Sequence, residues 1–231
     1  MTRVFVLSPA SCRGERARLL FNERAAFETA RRLRSPEGIS LGEVFAFMSG
    51  LYFRGKLSYA RAFARPPVGA PGIVVITPCE GFRMPEAPVD IARLKRYALV
   101  SIDSGEPRYR RPLLRDARGL AGILDAHAEV ILLGSVATGK YVDLLGEVFG
   151  ARLRFPAEFV GRGDMSRGGL LLRCVAERRE LEYIPVAGAV RHGRRPPRLV
   201  PRPGISKQAR AEPRHPPEGD VEALPLRQEE R

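Results

Sequence analysis

Ala128-Glu-Val-Ile-Leu-Leu-Gly-Ser-Val-Ala-Thr-Gly-Lys-Tyr141 reads as a strand that enters a glycine-rich turn and leaves it as a helix. Val130 to Leu133 form an unbroken apolar run bounded by Gly134, the pattern of a strand buried on both faces of a parallel sheet. Beyond the turn Tyr141, Leu144, Leu145 and Val148 recur at helical spacing, predicting a helix from about Thr138 to Phe149 with that face on the sheet. Its first turn would aim backbone N–H groups at whatever lies above Gly134, Ser135, Thr138, Gly139 and Lys140.

Gly134 to Lys140 also satisfies seven positions of the phosphate-binding loop, G-x-x-x-x-G-K, and fails the eighth, where Tyr141 replaces the Ser or Thr that holds magnesium. The seven-position pattern recurs at Gly50-Leu-Tyr-Phe-Arg-Gly-Lys56, where no strand precedes it. The repetition implies that one of the two is coincidence. A divergent phosphate-loop protein is one reading of the first, a looser anion cradle another, and a plain tight turn the third.

Working outward, Val4 to Leu7 followed by Ser8-Pro9 is a first buried strand, Ile73 to Ile76 ending in Thr77-Pro-Cys-Glu-Gly81 a second, and Arg152 to Phe155 a fourth. Helical stripes are predicted over Arg13–Arg34 and from Leu41 through Leu51, with a further piece after Arg54-Gly55. More are predicted near Asp90–Arg96, from Pro112 as an early helix residue through Leu124, and at Met165–Arg178. Ser40 with Glu43 makes a capping box, and Ile39 with Val44 a hydrophobic staple. Ala98–Ile102 and Glu182–Val186 are candidate further strands.

Strands alternating with helices predict an α/β fold: three layers, a mostly parallel sheet of about four strands between helices, occupying residues 1–190 as one domain. Beyond Ala189 the chain is Pro-rich and basic without apolar periodicity, and residues 191–231 are predicted to be a disordered tail. Ligands on such sheets lie past the carboxyl ends of the strands. The segments that should meet there are Ser8–Cys12, Thr77–Gly81, Gly134–Lys140 and Gly161–Gly169.

In the last of these, Gly168 and Gly169 lower helix propensity in a first turn, a cost best explained by close approach of a ligand or another backbone. Arg162 and Arg167 could grip a phosphate or carboxylate there, beside Ser166. Asp164 is also a candidate helix N-cap. Glu80, Glu158 and Asp164 are the carboxylates expected nearest the mouth, able to serve as general base or to stabilise a cationic sugar transition state. Cys12 and Cys79 lie in strand-end loops with no His expected nearby, which argues for small buried side chains rather than nucleophiles.

The formal charge of +13, spread along the chain, favours a polyanionic partner, nucleic acid or a nucleotide, or else marks a solvated basic surface. Three scattered Cys and three scattered His give no zinc signature, so no metal and no cofactor is expected, and unpaired thiols fit a reducing cytoplasm. No stretch approaches 18 consecutive apolar residues, which predicts no membrane partner.

Val74-Val-Ile-Thr-Pro-Cys-Glu-Gly-Phe-Arg-Met-Pro-Glu86, together with Tyr97-Ala-Leu-Val-Ser-Ile-Asp103, is similar to the strand-turn-Pro-Glu passage of a small α/β domain in archaeosine synthases, among relatives of tRNA-guanine transglycosylases. Tyr52–Phe63 and Leu7-Ser-Pro resemble uncharacterised relatives of that domain, so that about half the chain is covered. The resemblance implies a fold and a link to modified bases or nucleotides. It carries over no catalytic residue, because the Cys-x-x-Lys-Pro-Tyr and Ser-x-x-His elements of the synthases are absent here. The combined expectation is a protein binding a nucleotide, nucleobase or other phosphate-bearing ligand at the strand ends, in the manner of an enzyme of nucleoside or base chemistry. The alternative is a non-catalytic RNA- or DNA-binding module.

Overall fold

β1 (Arg3–Leu7) is buried along its whole length and hydrogen-bonded on both sides, which is why all five residues are apolar but the first. The computed structural model describes residues 1–197 and 199. After β1 come α1 (Glu15–Phe21), α2 (Glu28–Arg34), the short β2 (Ile39–Ser40), α3 (Leu41–Ser49) and α4 (Leu51–Phe63). β3 (Ile73–Ile76), β4 (Phe82–Arg83) and β5 (Pro88–Val89) precede α5 (Ile91–Leu99) and α6 (Pro107–Ile123). β6 (Glu129–Leu133), α7 (Gly139–Phe149), β7 (Leu153–Pro156), α8 (Asp164–Ala176) and β8 (Tyr183–Pro185) complete the order.

The main sheet runs β4-β3-β1-β6-β7-β8, and β2 pairs with β5 apart from it. β3, β1, β6 and β7 are mutually parallel, the four strands expected, while the edges β4 and β8 are antiparallel additions. Register is direct: Phe5 lies opposite Ile73 on one side and Ile131 on the other. Because β1 crosses over to β3 on one side and β6 crosses to β7 on the other, the winding reverses between β1 and β6. Right-handed crossovers in opposite directions place their helices on opposite faces. Accordingly α4 packs with α8 and α6 with α7, and a crevice opens past the carboxyl ends of β1 and β6.

Several local expectations are corrected. The Arg13–Arg34 stripe is broken between α1 and α2, where the Asn22 side chain accepts from the Arg24 N–H and starts a turn. The break after Arg54-Gly55 instead falls at Gly50, whose φ of 61° only glycine adopts without strain, and α4 runs unbroken through Gly55. Ala98–Ile102 is no strand, since α5 runs on to Leu99 and residues 100–102 pair with neither sheet. Pro112 lies inside α6 rather than near its start, that place being taken by Pro107 behind the cap Glu106. The capping box forms, with Ser40 accepting from the Glu43 N–H at 3.3 Å and donating to its carboxylate at 2.6 Å. The compact unit continues past 190 to Leu199, and Gly193 and Arg194 lie against Val160 and Gly161. The disorder expected for the rest of the tail falls on positions outside the described residues.

At the amino end of the sheet, opposite the crevice, the buried Arg3 forks onto Glu129 with bonds of 3.0 and 2.6 Å and also meets Glu180, while Arg154 closes on Glu129 from the next strand. Burial pushes the Glu129 carboxyl up, but the two guanidiniums outweigh it and hold it below the usual range.

Candidate functional site

The crevice at the winding reversal is a cleft of about 870 Å³. All four strand-end segments contribute to it: Ser8 to Arg13, Pro78, Ser135 with Lys140 and Tyr141, and Asp164. Ser8 directly follows β1, its N–H still bonded to the Leu133 carbonyl at 3.1 Å. Gly134 is required opposite it, since a Cβ there would lie 2.9 Å from the Ser8 Cβ. Lys140, one residue into α7, lays its ammonium 5.1 Å from the Tyr141 ring centroid, and the buried Tyr109 donates to its carbonyl at 2.9 Å, fixing the first turn. Tyr141, in the position where a phosphate loop sets Ser or Thr, is itself buried.

The remaining walls come from segments that sequence reasoning did not assign to the site. Met48, Ser49 and Tyr52 enter from the α3–α4 corner, and Tyr97, Val100 to Asp103 and Glu106 from the α5–α6 connection. The Arg108 side chain and backbone N–H hold the Glu106 carboxyl down to about 2, so it is an anion at every physiological pH. Tyr52 is 5% exposed, and its hydroxyl is shut off from the cleft beside the Arg167 guanidinium.

Beneath Ser8 lies Lys56, the last residue of the second G-x-x-x-x-G-K match. That match is not idle, although its glycines serve packing. A Cβ on Gly55 would stand 2.7 Å from the Gly168 carbonyl, and one on Gly168 would stand 2.7 Å from the Leu51 carbonyl, so the two glycines let α4 and α8 touch backbone to backbone. The expected close approach at Gly168 is thus to a helix. Lys56 is 1% exposed, and its ammonium donates to the Ser8 carbonyl at 2.5 Å and to the Ser8 Oγ at 2.8 Å. The rings of Tyr52 and Phe53 flank it at 4.5 and 4.9 Å. Burial lowers its pKa to about 7, an effect that Asp164 opposes and Arg167 reinforces. The one signal that could have found Lys56 was the repeated motif itself.

Other expected site residues lie elsewhere. Thr77 is buried in its own turn, donating to Gly81 O and accepting from the Glu80 N–H, both at 3.0 Å. Thr138 is at the N-cap of α7 without a capping bond, and Gly139 is covered by the Asp143 carboxylate. Arg167 is buried and bonded to the Phe159 carbonyl at 2.9 Å, which holds the loop before α8 rather than a ligand. Arg162 reaches Ser166 at 3.2 Å, and the two line a separate depression with Met165 and Leu199. Gly163, not Asp164, caps α8, which frees the Asp164 carboxylate, 69% exposed, to face the cleft and Arg167 at 3.6 Å. Glu80 is tied to Tyr97 at 2.9 Å and Arg93 at 3.1 Å, and Glu158 faces Arg179, so of the three carboxylates only Asp164 lines the cleft. Cys12 is buried at the cleft wall, and burial, with the Cys79 thiol adding to it, pushes its pKa up to about 12, which leaves it a neutral thiol. Among the described residues no group of His, Cys, Asp and Glu could hold a metal ion, and no helix is long and apolar enough to cross a membrane.

No protein-family model, curated protein or solved structure matches the chain.

Proposed function

We propose that the cleft binds a small phosphate-bearing ligand of the nucleotide or nucleobase class. The observation that carries this reading is the combination of shape and lining at the winding reversal. A volume of about 870 Å³ suits a ligand of mononucleotide size. Tyr52, Tyr97 and Tyr141 supply aromatic surface, Ser8, Ser11, Ser49, Ser101 and Ser135 supply hydroxyls, and Asp103, Glu106 and Asp164 supply acceptors for sugar hydroxyls or base N–H groups. Lys140 at the head of α7 and Arg13 supply the cations for a phosphate.

The test is titration calorimetry with purine and pyrimidine mononucleotides, the free bases and inorganic phosphate. A mononucleotide should bind more tightly than phosphate, with affinity nearly independent of salt. Absence of heat with the whole panel would overturn the reading. The net charge of +13 keeps a second reading in play, a surface for backbone phosphates of RNA or DNA. That reading requires affinity for an oligonucleotide to fall steeply as salt rises.

A further inference from the structure

The contact between Ser8 and Lys56 has the geometry of a nucleophile and its base. Ser8 directly follows the central strand and lines the cleft, and the Lys56 nitrogen lies 2.8 Å from its Oγ, among apolar and aromatic neighbours. A lysine in that position needs a reason, because an ammonium without a carboxylate hydrogen-bonded to it is costly to bury. No carboxylate among the described residues bonds to Lys56: the charged groups nearest to it are Asp164, whose ion pair is with Arg167, and Arg167 itself, whose charge opposes a second cation. As a neutral amine Lys56 satisfies every neighbour. It donates to the Ser8 carbonyl at 2.5 Å, and at 2.8 Å from Oγ its lone pair can accept the Ser8 hydroxyl proton, reversing the donation that the ammonium makes.

We propose that Ser8 is a catalytic nucleophile and Lys56 its general base, for hydrolysis of an acyl ester carried by a hydroxyl of the ligand in the cleft. The ligand half of this proposal rests on the cleft reading above, while the dyad itself does not. As the Ser8 Oγ bonds to the acyl carbon, its proton passes to the Lys56 amine and the carbonyl oxygen becomes an oxyanion. The ester C–O bond then breaks and the departing alkoxide takes the proton from Lys56. A water molecule next gives a proton to the regenerated amine and attacks the acyl-serine, and Ser8 leaves with that proton. The amine is available as a base near pH 7 because burial disfavours its charge, with Asp164 acting against this and Arg167 in the same direction.

The experiment is acylation of the full chain by p-nitrophenyl acetate, with the adduct located by peptide mass spectrometry. Acetyl is expected on Ser8, at a rate that rises with pH through about 7 and then levels. Ser8→Ala, which removes one hydroxyl from a folded protein, should abolish that adduct. Lys56→Met should slow it by about 10²- to 10⁴-fold, the usual contribution of a general base. The pH profile of the parent keeps the test valid if Lys56→Met does not fold. An adduct confined to surface amines, or a Ser8 rate without the inflection, overturns the dyad whether or not mononucleotides bind. Labelling of Ser8 that a bound mononucleotide suppresses supports both readings, whereas labelling of Ser8 in a protein that binds no mononucleotide supports the dyad and removes only the nucleotide.

Discussion

At the scale of single residues, charge at the cleft and charge at the base of the sheet do different things. Lys140 lines the cleft and Arg162 does not, so Lys140→Ala should weaken phosphate or mononucleotide binding about ten- to a hundredfold, while Arg162→Ala leaves calorimetric affinity unchanged. Lys56 offers a thermodynamic signature independent of any ligand. Its folded pKa is lowered by burial to about 7, so the unfolded chain binds more protons between about pH 7 and the usual lysine value. The cost of burying it is therefore full below pH 7 and fades as pH rises toward about 10. Urea titrations should show the parent gaining stability relative to Lys56→Met over that window, and parallel pH curves would mean that the lysine is not depressed. Glu129 has the opposite sign: its folded pKa is held down, so its contribution is present above the ordinary carboxylate value and lost as pH falls through the folded one. Removing its charge leaves Arg154 without this carboxylate and Arg3 with Glu180 alone, and Glu129→Gln should cost about 3 to 5 kcal/mol by urea denaturation.

Elements show why local periodicity located helices but misjudged their ends. The α7 stripe and the Ser40–Glu43 box are short-range patterns, and both formed as read. The breaks at Asn22 and Gly50, the long α6 beginning at Pro107 and the Gly163 cap are one-residue decisions in which neighbouring candidates compete almost equally. The α4–α8 crossing belongs to neither helix alone, because Gly55 and Gly168 look like weak points in their own segments and become contacts only together. Gly168→Ala should force the crossing apart and cost about 1 to 3 kcal/mol in denaturant, more than any propensity gain returns. Since Lys56 is the residue after Gly55, the same variant should also disturb Ser8 acylation.

For the whole molecule, truncations at 191 and at 200 have different expected effects. Gly193, Arg194 and Leu199 lie against Val160, Gly161 and Gly169, so removing residues from 191 onward should lower the melting temperature. Removal from 200 onward takes away only sequence without apolar periodicity and should leave calorimetric melting nearly unchanged. The sequence by itself determined the α/β class, the four parallel strands and the strand ends that face the cleft, because a doubly buried strand carries a run of apolar residues and the turns that end these strands are polar or glycine-rich. Both signals lie within a few residues of one another. It also yielded Ser8, Ser135, Lys140 and Asp164 as cleft residues, since each lies within two residues of a strand end or in the first turn of a helix. Only the tertiary structure decided that Arg162, Thr77 and Glu80 turn to other partners, and that Lys56, 48 residues from Ser8, ends beneath it. A side chain's partner across the core depends on which helix crosses which strand and at what distance. Here that distance is set by Gly55 and Gly168, far apart in the chain, meeting where neither sequence segment could announce the other.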